Sequence, residues 1–263
     1  MHTKGSLIKD MEKAGINKKG TILVHSSMKA IGHVEGGADT VLDAFIDYMK
    51  DGLLLFPTHT WSKENMLDGI YNPKTEPACV GLLPNLFMKR EGAIRSMHPT
   101  HSVTAMGNRA REYVARDNDV NTPCPEHGCF GGLYDEDAQI LLLGVSFIRN
   151  TYIHVIEEKF DIPNRIAAKP RRLKLVQEDG SFKKVDHYYH YSTLGSVSLN
   201  YDKLRSPLMD MGIVKEVKIG DATSYLMKVR PMADWVSKLL EEDPDLFSDD
   251  NPLKLQLAKR VVN

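Results

Sequence analysis

Ile140-Leu141-Leu142-Leu143-Gly144-Val145, followed by Asn150-Thr151-Tyr152-Ile153-His154-Val155-Ile156-Glu157, is the stretch around which the chain is organised. An aliphatic run without polar alternation predicts a strand covered on both faces, because a strand with one wet face would alternate. The break after Val145 reads as a short loop. Beyond it the spacing predicts a helix, with Asn150 or Thr151 placed to cap the first turn through a side-chain oxygen, and Pro163 soon closes it. His154 and Glu157, three positions apart on that helix, share a face and can touch. A carboxylate beside an imidazole fixes the tautomer and raises the basicity of the other ring nitrogen, which creates a base effective near neutral pH. The same pair also fits a core histidine held by a structural glutamate. Its place after a buried strand favours chemistry, since open α/β sheets bind ligands outside the carboxyl ends of their strands.

Working outward, the same order recurs near the start of the chain. Ser6 to Ala14 reads as an amphipathic helix stopped by Gly15, and Thr21 to His25 as a strand. His25-Ser26-Ser27 then leads through Gly32, Gly36 and Gly37 into a helical stripe from Ala38 to Lys50. Paired glycines let a ligand approach the backbone, and the amides opening the helix can face an anion, although the pattern is neither a P-loop nor GxGxxG. Gly52 to Phe56 is a second strand ending at Pro57-Thr58-His59, and Val103 to Met106 is a further one. Gly107 to Val120 reads as a short helix. Beyond Pro163 the texture changes to hairpins about Asp179-Gly180 and Gly220-Asp221, a helix from Asn200 to Met211, and a helix opened by Pro231. Glu241 to Asp250 is acidic and reads as a solvated segment.

These elements predict a three-layer α/β/α fold with a largely parallel central sheet and C-terminal antiparallel hairpins. Residues 1–263 are expected to form one domain, with a C-terminal subdomain from about 164. A net charge of -1 on 263 residues carries no electrostatic footprint for nucleic acid. The absence of an apolar signal core and of a bilayer-length apolar run predicts a cytoplasmic protein. Three cysteines fit a reducing compartment.

Other polar clusters compete for attention. Arg95, His98, His101 and Ser102 form the densest; the guanidinium can hold a phosphate or carboxylate, or organise its loop by bonding carbonyls. With His25, His59 and His154 these histidines admit a metal-dependent hydrolase as a rival reading, but no HExxH spacing declares a metal, and none is expected. Cys124-Pro125-Glu126-His127-Gly128-Cys129 looks like half a zinc site, yet Cys79 is the only other cysteine, so a solvent-facing loop of unpaired thiols is expected. No GxSxG elbow marks a serine hydrolase.

In order and spacing, His25-Ser26-Ser27, Gly32, Gly36-Gly37, Phe56-Pro57-Thr58, Arg95-Ser96-x-His98-Pro99, Leu143-Gly144-Val145 and Asn150-Thr151-x-x-His154-x-x-Glu157 together resemble the aminoglycoside 3-N-acetyltransferase family, and in particular its YokD-like branch. The resemblance is dense from about Gly15 to Glu157 and looser to about Val236. It implies an acetyl-coenzyme A-dependent N-acetyltransferase with a fold unlike the GNAT enzymes. It also implies His154 as general base supported by Glu157, and coenzyme A near Ser26, Ser27, Gly36 and Gly37. Ser26, Ser27 and Thr58, beside the co-substrate, are then candidate oxyanion donors, and Arg95 is a candidate phosphate partner or a structural residue of that wall. A homodimer fits the family. The Cys124 to Gly132 loop departs from the family, and a polycationic antibiotic calls for a cleft of carboxylates, for which Asp135, Glu136 and Asp137 are the nearest candidates. The acceptor is therefore expected to be an aminoglycoside or another small amine, including a biosynthetic one.

Overall fold

The computed structural model describes residues 1–62 and 69–253. In chain order its main elements are α1 (Lys4–Ala14), β1 (Thr21–Ser26), α2 (Gly37–Tyr48), β2 (Leu53–Pro57), β3 (Ile70–Tyr71), α3 (Leu82–Phe87), β4 (Ile94–Arg95), β5 (Val103–Gly107), α4 (Ala110–Val114) and α5 (Gly132–Asp135). There follow β6 (Gln139–Leu143), α6 (Tyr152–Lys159), β7 (Arg171–Val176), β8 (Phe182–His187), α7 (Arg205–Asp210), β9 (Val214–Ile219), β10 (Ala222–Lys228) and α8 (Val229–Glu242).

Among the described residues the main sheet runs β4-β5-β2-β1-β6-β10-β9. Its three central strands β2, β1 and β6 are parallel, and antiparallel strands flank them on both sides. Residues 140–143 and 21–24 are buried on both faces, as the aliphatic run predicts. Successive side chains alternate between two cores: Leu23, Ile140 and Leu142 join α4, α6 and α8, whereas Ile22, Val24, Leu141 and Leu143 join α1, α2 and α3. Each such side chain contributes about 1.5–3 kcal/mol of burial. The three layers follow directly from that alternation.

Several local expectations hold and some shift. Thr3 caps α1 in a reciprocal box with Ser6, and Gly15 ends it in the left-handed conformation. Neither Asn150 nor Thr151 caps α6. A 3-10 turn at Phe147–Arg149 runs straight into the helix, so the first amides bond to Phe147, Arg149, Asn150 and Thr151 carbonyls instead. The 200–211 segment is a 3-10 helix, Val197–Leu204, followed by α7. Pro231 sits in the first turn of α8 and does not begin it.

The two C-terminal hairpins separate. β9 and β10 extend the main sheet by pairing with β6, while β7 and β8 form a second sheet with β3. The acidic segment after α8 is not wholly solvated: Leu246 is 5% and Phe247 0% exposed. Among the described residues no helix is long and apolar enough to cross a membrane.

What matters for the site is one end of the sheet. Ser26 pairs with Leu143, so β1 and β6 end together. The chain leaves β1 toward β2 on one side and returns as β6 on the other. That reversal opens a crevice beyond the strand ends, where α/β sheets take their ligands.

Candidate active site

α6 begins just past β6 and turns His154 into this crevice. Its Nδ1 lies 2.8 Å from Glu157 Oε2, with His154 16% and Glu157 1% exposed at the side chain. Tyr201 Oη lies 2.8 Å from the same nitrogen and donates to Glu157 Oε2 at 2.6 Å. Arg165 Nε donates to Glu157 Oε1 at 2.6 Å. Burial by itself would raise the Glu157 carboxyl. The hydrogen bond and charge of His154, then the bonds from Tyr201 and Arg165, overcome it and hold the pKa at about 2. The ionised carboxylate only accepts, and the Tyr201 hydroxyl proton is already directed at it. Nδ1 must therefore carry the ring proton, which leaves Nε2 as the basic nitrogen.

The surroundings hold this arrangement still. Phe247 packs edge-on against Tyr201, with ring centroids 4.7 Å apart, so the buried part of the acidic tail underpins the site. His190 lies against His154 with centroids 4.0 Å apart. Burial first, then the charge of His154, lowers His190 to about 4, so it is neutral. Burial likewise depresses His25 to about 3 and His187 to about 2, and lowers His59, His98 and His101. Thr100 Oγ1 bridges His101 Nδ1 at 2.9 Å and His187 Nε2 at 3.0 Å. The result is a wall of uncharged imidazoles on one side of His154.

His154 opens on a cavity of about 490 Å³, whose lining includes His59, Arg149, Asn150, Arg165, Arg171 and Tyr189. Among the described residues His59 Nε2, Asn150 Oδ1 and Arg165 Nη2 are buried without a protein partner. So are His25 Nε2 and Ser26 Oγ at the end of β1. Buried polar atoms are normally satisfied, so the three on cavity-lining residues suit a polar ligand there.

The other sequence-derived candidates fall into two groups. Ser26, Ser27, Gly36 and Gly37 lie together on the connection between β1 and α2, where Ser27 N donates to Leu143 O at 2.9 Å. Gly36 and Gly37 have φ of 72° and 66° and open α2. None of the four lines the cavity around His154. Thr58 and Arg95 require correction. Thr58 is fully buried with Oγ1 bonded to Ser102 and Thr104, which leaves it no donor for an oxyanion. Arg95 donates to Ser102 Oγ and to the carbonyls of Thr58, Pro73 and Glu76. It ties the turn at 73–76 to the end of β2 with four of its five N–H donors, which favours the structural use over the phosphate one.

Asp135, Glu136 and Asp137 also fail as a substrate cleft. Glu136 accepts from Thr21, the first residue of β1, and therefore sits at the opposite end of the sheet from His154. All three are paired with arginines: Arg116, Arg109 and Arg230 respectively. The thiols of the cysteine loop are likewise not solvent-facing: Glu126 and His127 are exposed, but Cys124 and Cys129 are each 1% exposed. Cys129 Sγ turns toward Tyr113 O, whereas Cys124 approaches Glu158 and His190, with ligand atoms within 4.8 Å of one another. Burial pushes both thiols well up.

Three residues of the site were not anticipated from sequence: Tyr201, Arg165 and His190. Tyr201 and Arg165 lie 47 and 8 positions from their partners, on elements with no helical or strand spacing to relate them. The His187-x-x-His190 pair offered a signal only as two more histidines.

A three-layer fold carrying a carboxylate-supported histidine at the strand ends, beside a polar cavity, is the arrangement of an enzyme active site in an α/β protein. The chain belongs to the aminoglycoside 3-N-acetyltransferase family, whose sequence profile matches residues 23–241. Members are acyltransferases with acetyl-coenzyme A as co-substrate. The chain is 25% identical to aminoglycoside N(3)-acetyltransferase VII of Streptomyces paromomycinus over 91% of its own length and 92% of that protein's. It is 30% identical to the prophage-derived acetyltransferase-like protein YokD of Bacillus subtilis over 59% of its length and 64% of that protein's. The fold matches the acetyltransferase AAC(3)-IVa in complex with a gentamicin, with a TM-score of 0.80, 23% identity and coverage of 94% and 91%. AAC-IIIb bound to CoASH matches with a TM-score of 0.79, 21% identity and coverage of 91% and 96%.

Proposed function

We propose that this chain transfers an acetyl group from acetyl-coenzyme A to a primary amine of a small molecule, with His154 as general base. The observation that carries this reading is the Glu157–His154–Tyr201 arrangement, which leaves Nε2 basic and directed at a polar cavity. The co-substrate supplies the thioester, whose carbonyl the amine attacks and whose thiol leaves. His154 Nε2 takes the amine proton as the new bond forms and returns it to the departing sulfur, while Glu157 stabilises the imidazolium between the two events. With Thr58 engaged elsewhere, the hydroxyls of Ser26 and Ser27 at the end of β1 are the side-chain donors left to stabilise developing negative charge. The glycine-bearing β1–α2 connection is our site for coenzyme A, and the unpartnered Ser26 Oγ and His25 Nε2 fit a polar co-substrate there. Cys124 and Cys129, held as thiols by burial, favour direct transfer over an acetyl-enzyme. The place of β9 and β10 in the main sheet supports one domain, with the β3-β7-β8 sheet as a minor lobe beside the cavity.

The test is thiol release from acetyl-coenzyme A with a panel of amines. Wild-type protein is expected to turn over at least one amine. His154→Ala should lose about 10²- to 10⁴-fold in rate while still binding coenzyme A by calorimetry. A variant that transfers at the wild-type rate removes His154 from the chemistry.

A further inference from the structure

Among the described residues, the lining of the cavity beside His154 carries positive charge where a polycationic acceptor needs negative. Among the described residues no Asp or Glu lines it, but Arg149, Arg165 and Arg171 do. Arg165 is neutralised by its ion pair with Glu157. His59, His101 and His190 in the same lining are held neutral by burial. Arg149 and Arg171 are both exposed, and neither meets a carboxylate among the described residues. The acidic residues singled out from sequence, Asp135, Glu136 and Asp137, belong to the far end of the sheet.

The two arginines serve different sides of the cavity. Arg149 follows β6 closely and its charge reaches His25 at the end of β1, which puts it on the side of the β1–α2 connection. Arg171 begins β7 in the minor sheet, with its guanidinium 4.1 Å from the centre of the Tyr189 ring. A guanidinium seated over a ring face is held by cation–π attraction without consuming its N–H donors, whose fork geometry suits phosphate and carboxylate.

We propose that Arg171, presented on Tyr189, is an anion subsite that selects acceptor amines bearing a phosphate or carboxylate group over polycationic aminoglycosides. This specificity rests on the acetyl-transfer reading above. It assigns the minor sheet a role in choosing the acceptor, while Arg149 faces the co-substrate. Because Arg171 is exposed, its effect is screened by salt.

The experiment compares matched acceptors: glucosamine, glucosamine 6-phosphate, an amino sugar acid and gentamicin. Each is followed by thiol release, and by calorimetric binding to His154→Ala saturated with coenzyme A. An anionic amine is expected to exceed neutral glucosamine at least tenfold in kcat/KM and in affinity, with the ratio shrinking at high salt. The phosphorylated and carboxylated sugars show which anion the fork prefers. Arg171→Gln should bring the anionic-to-neutral ratio to within about twofold, the loss falling on the acceptor's KM and not on that of acetyl-coenzyme A. Preference for gentamicin, no gain from either anion, or an Arg171→Gln effect confined to the co-substrate overturns the subsite and leaves acetyl transfer standing. Binding of the anionic amine without thiol release keeps the subsite and overturns acetyl transfer.

Discussion

Tyr201 Oη and His154 Nδ1 lie 2.8 Å apart although 47 positions separate them, and both meet the same oxygen of Glu157. The basic nitrogen of the site thus depends on a residue from outside α6. On the proposed function Tyr201 acts as a positioning residue, a role separable from simple packing.

Tyr201→Phe keeps the ring against Phe247 but removes the hydroxyl donor to Glu157. A neutral hydrogen bond to a charged group is worth about 1.5–3 kcal/mol, so kcat should fall about 10- to 100-fold with little change in either KM. With one donor fewer, the carboxylate favours a protonated partner more strongly. The acid limb of the kcat/KM profile should therefore move to higher pH. An unmoved profile would assign Tyr201 to packing alone.

Glu157→Gln leaves the Arg165 guanidinium, 4% exposed, without its counter-charge. Stranding a buried ion costs about 3–5 kcal/mol. Urea denaturation should show a loss of that size, and Glu157→Gln combined with Arg165→Met should recover part of it. Equal stability of the single and double variants would contradict this account of the ion pair.

Acid stability follows from the buried imidazoles. His25, His187 and His190 are held at about 3, 2 and 4, against an ordinary 6.5. Below pH 6.5 their unfolded forms take protons that the folded protein refuses. Stability is therefore full above pH 6.5 and falls as pH drops toward the folded values, by up to about 1.4 kcal/mol per pH unit for each histidine. The urea midpoint should drop steeply between pH 6.5 and 5, and His187→Gln should flatten the slope. A level midpoint across that range would show that these rings are protonated in the folded state.

Arg95→Ala removes bonds to Ser102 and to three carbonyls at once, and should destabilise the fold by about 2–4 kcal/mol. Thermal denaturation measures this directly. Acetyl-coenzyme A binding by the folded variant, followed by calorimetry, should stay within about twofold of wild type; a large loss would return Arg95 to the co-substrate site.

Gly144 ends β6 with φ of 65°, and a Cβ there would overlap that of Ala30. Gly144→Ala therefore combines backbone strain with a clash against the β1–α2 connection, and should cost about 2–4 kcal/mol. Weaker coenzyme A binding by the folded variant should accompany it, measured by calorimetry. Unchanged stability and binding would mean that the connection yields freely.

The central strands, their polar ends and the His154–Glu157 pair were legible in the sequence because each rests on local rules. A buried parallel strand declares itself by an unbroken aliphatic run, and two residues three apart on a helix must share a face. These rules use only the backbone geometry of neighbouring residues. Arg95 shows their limit: sequence offered a guanidinium with two uses, and only the positions of the Thr58, Pro73 and Glu76 carbonyls selected one.

By itself the sequence determined the layered α/β class, the strand-end position of His154 and its carboxylate partner, through periodicity and spacing. Tertiary structure decided the rest of the site. It brought Tyr201 and Arg165 onto Glu157, turned Asp135 to Asp137 away to the opposite end of the sheet, and set Arg171 on the cavity wall. Electrostatics and hydrogen bonding act through space over a few ångströms, so which distant residues meet depends on how the layers close.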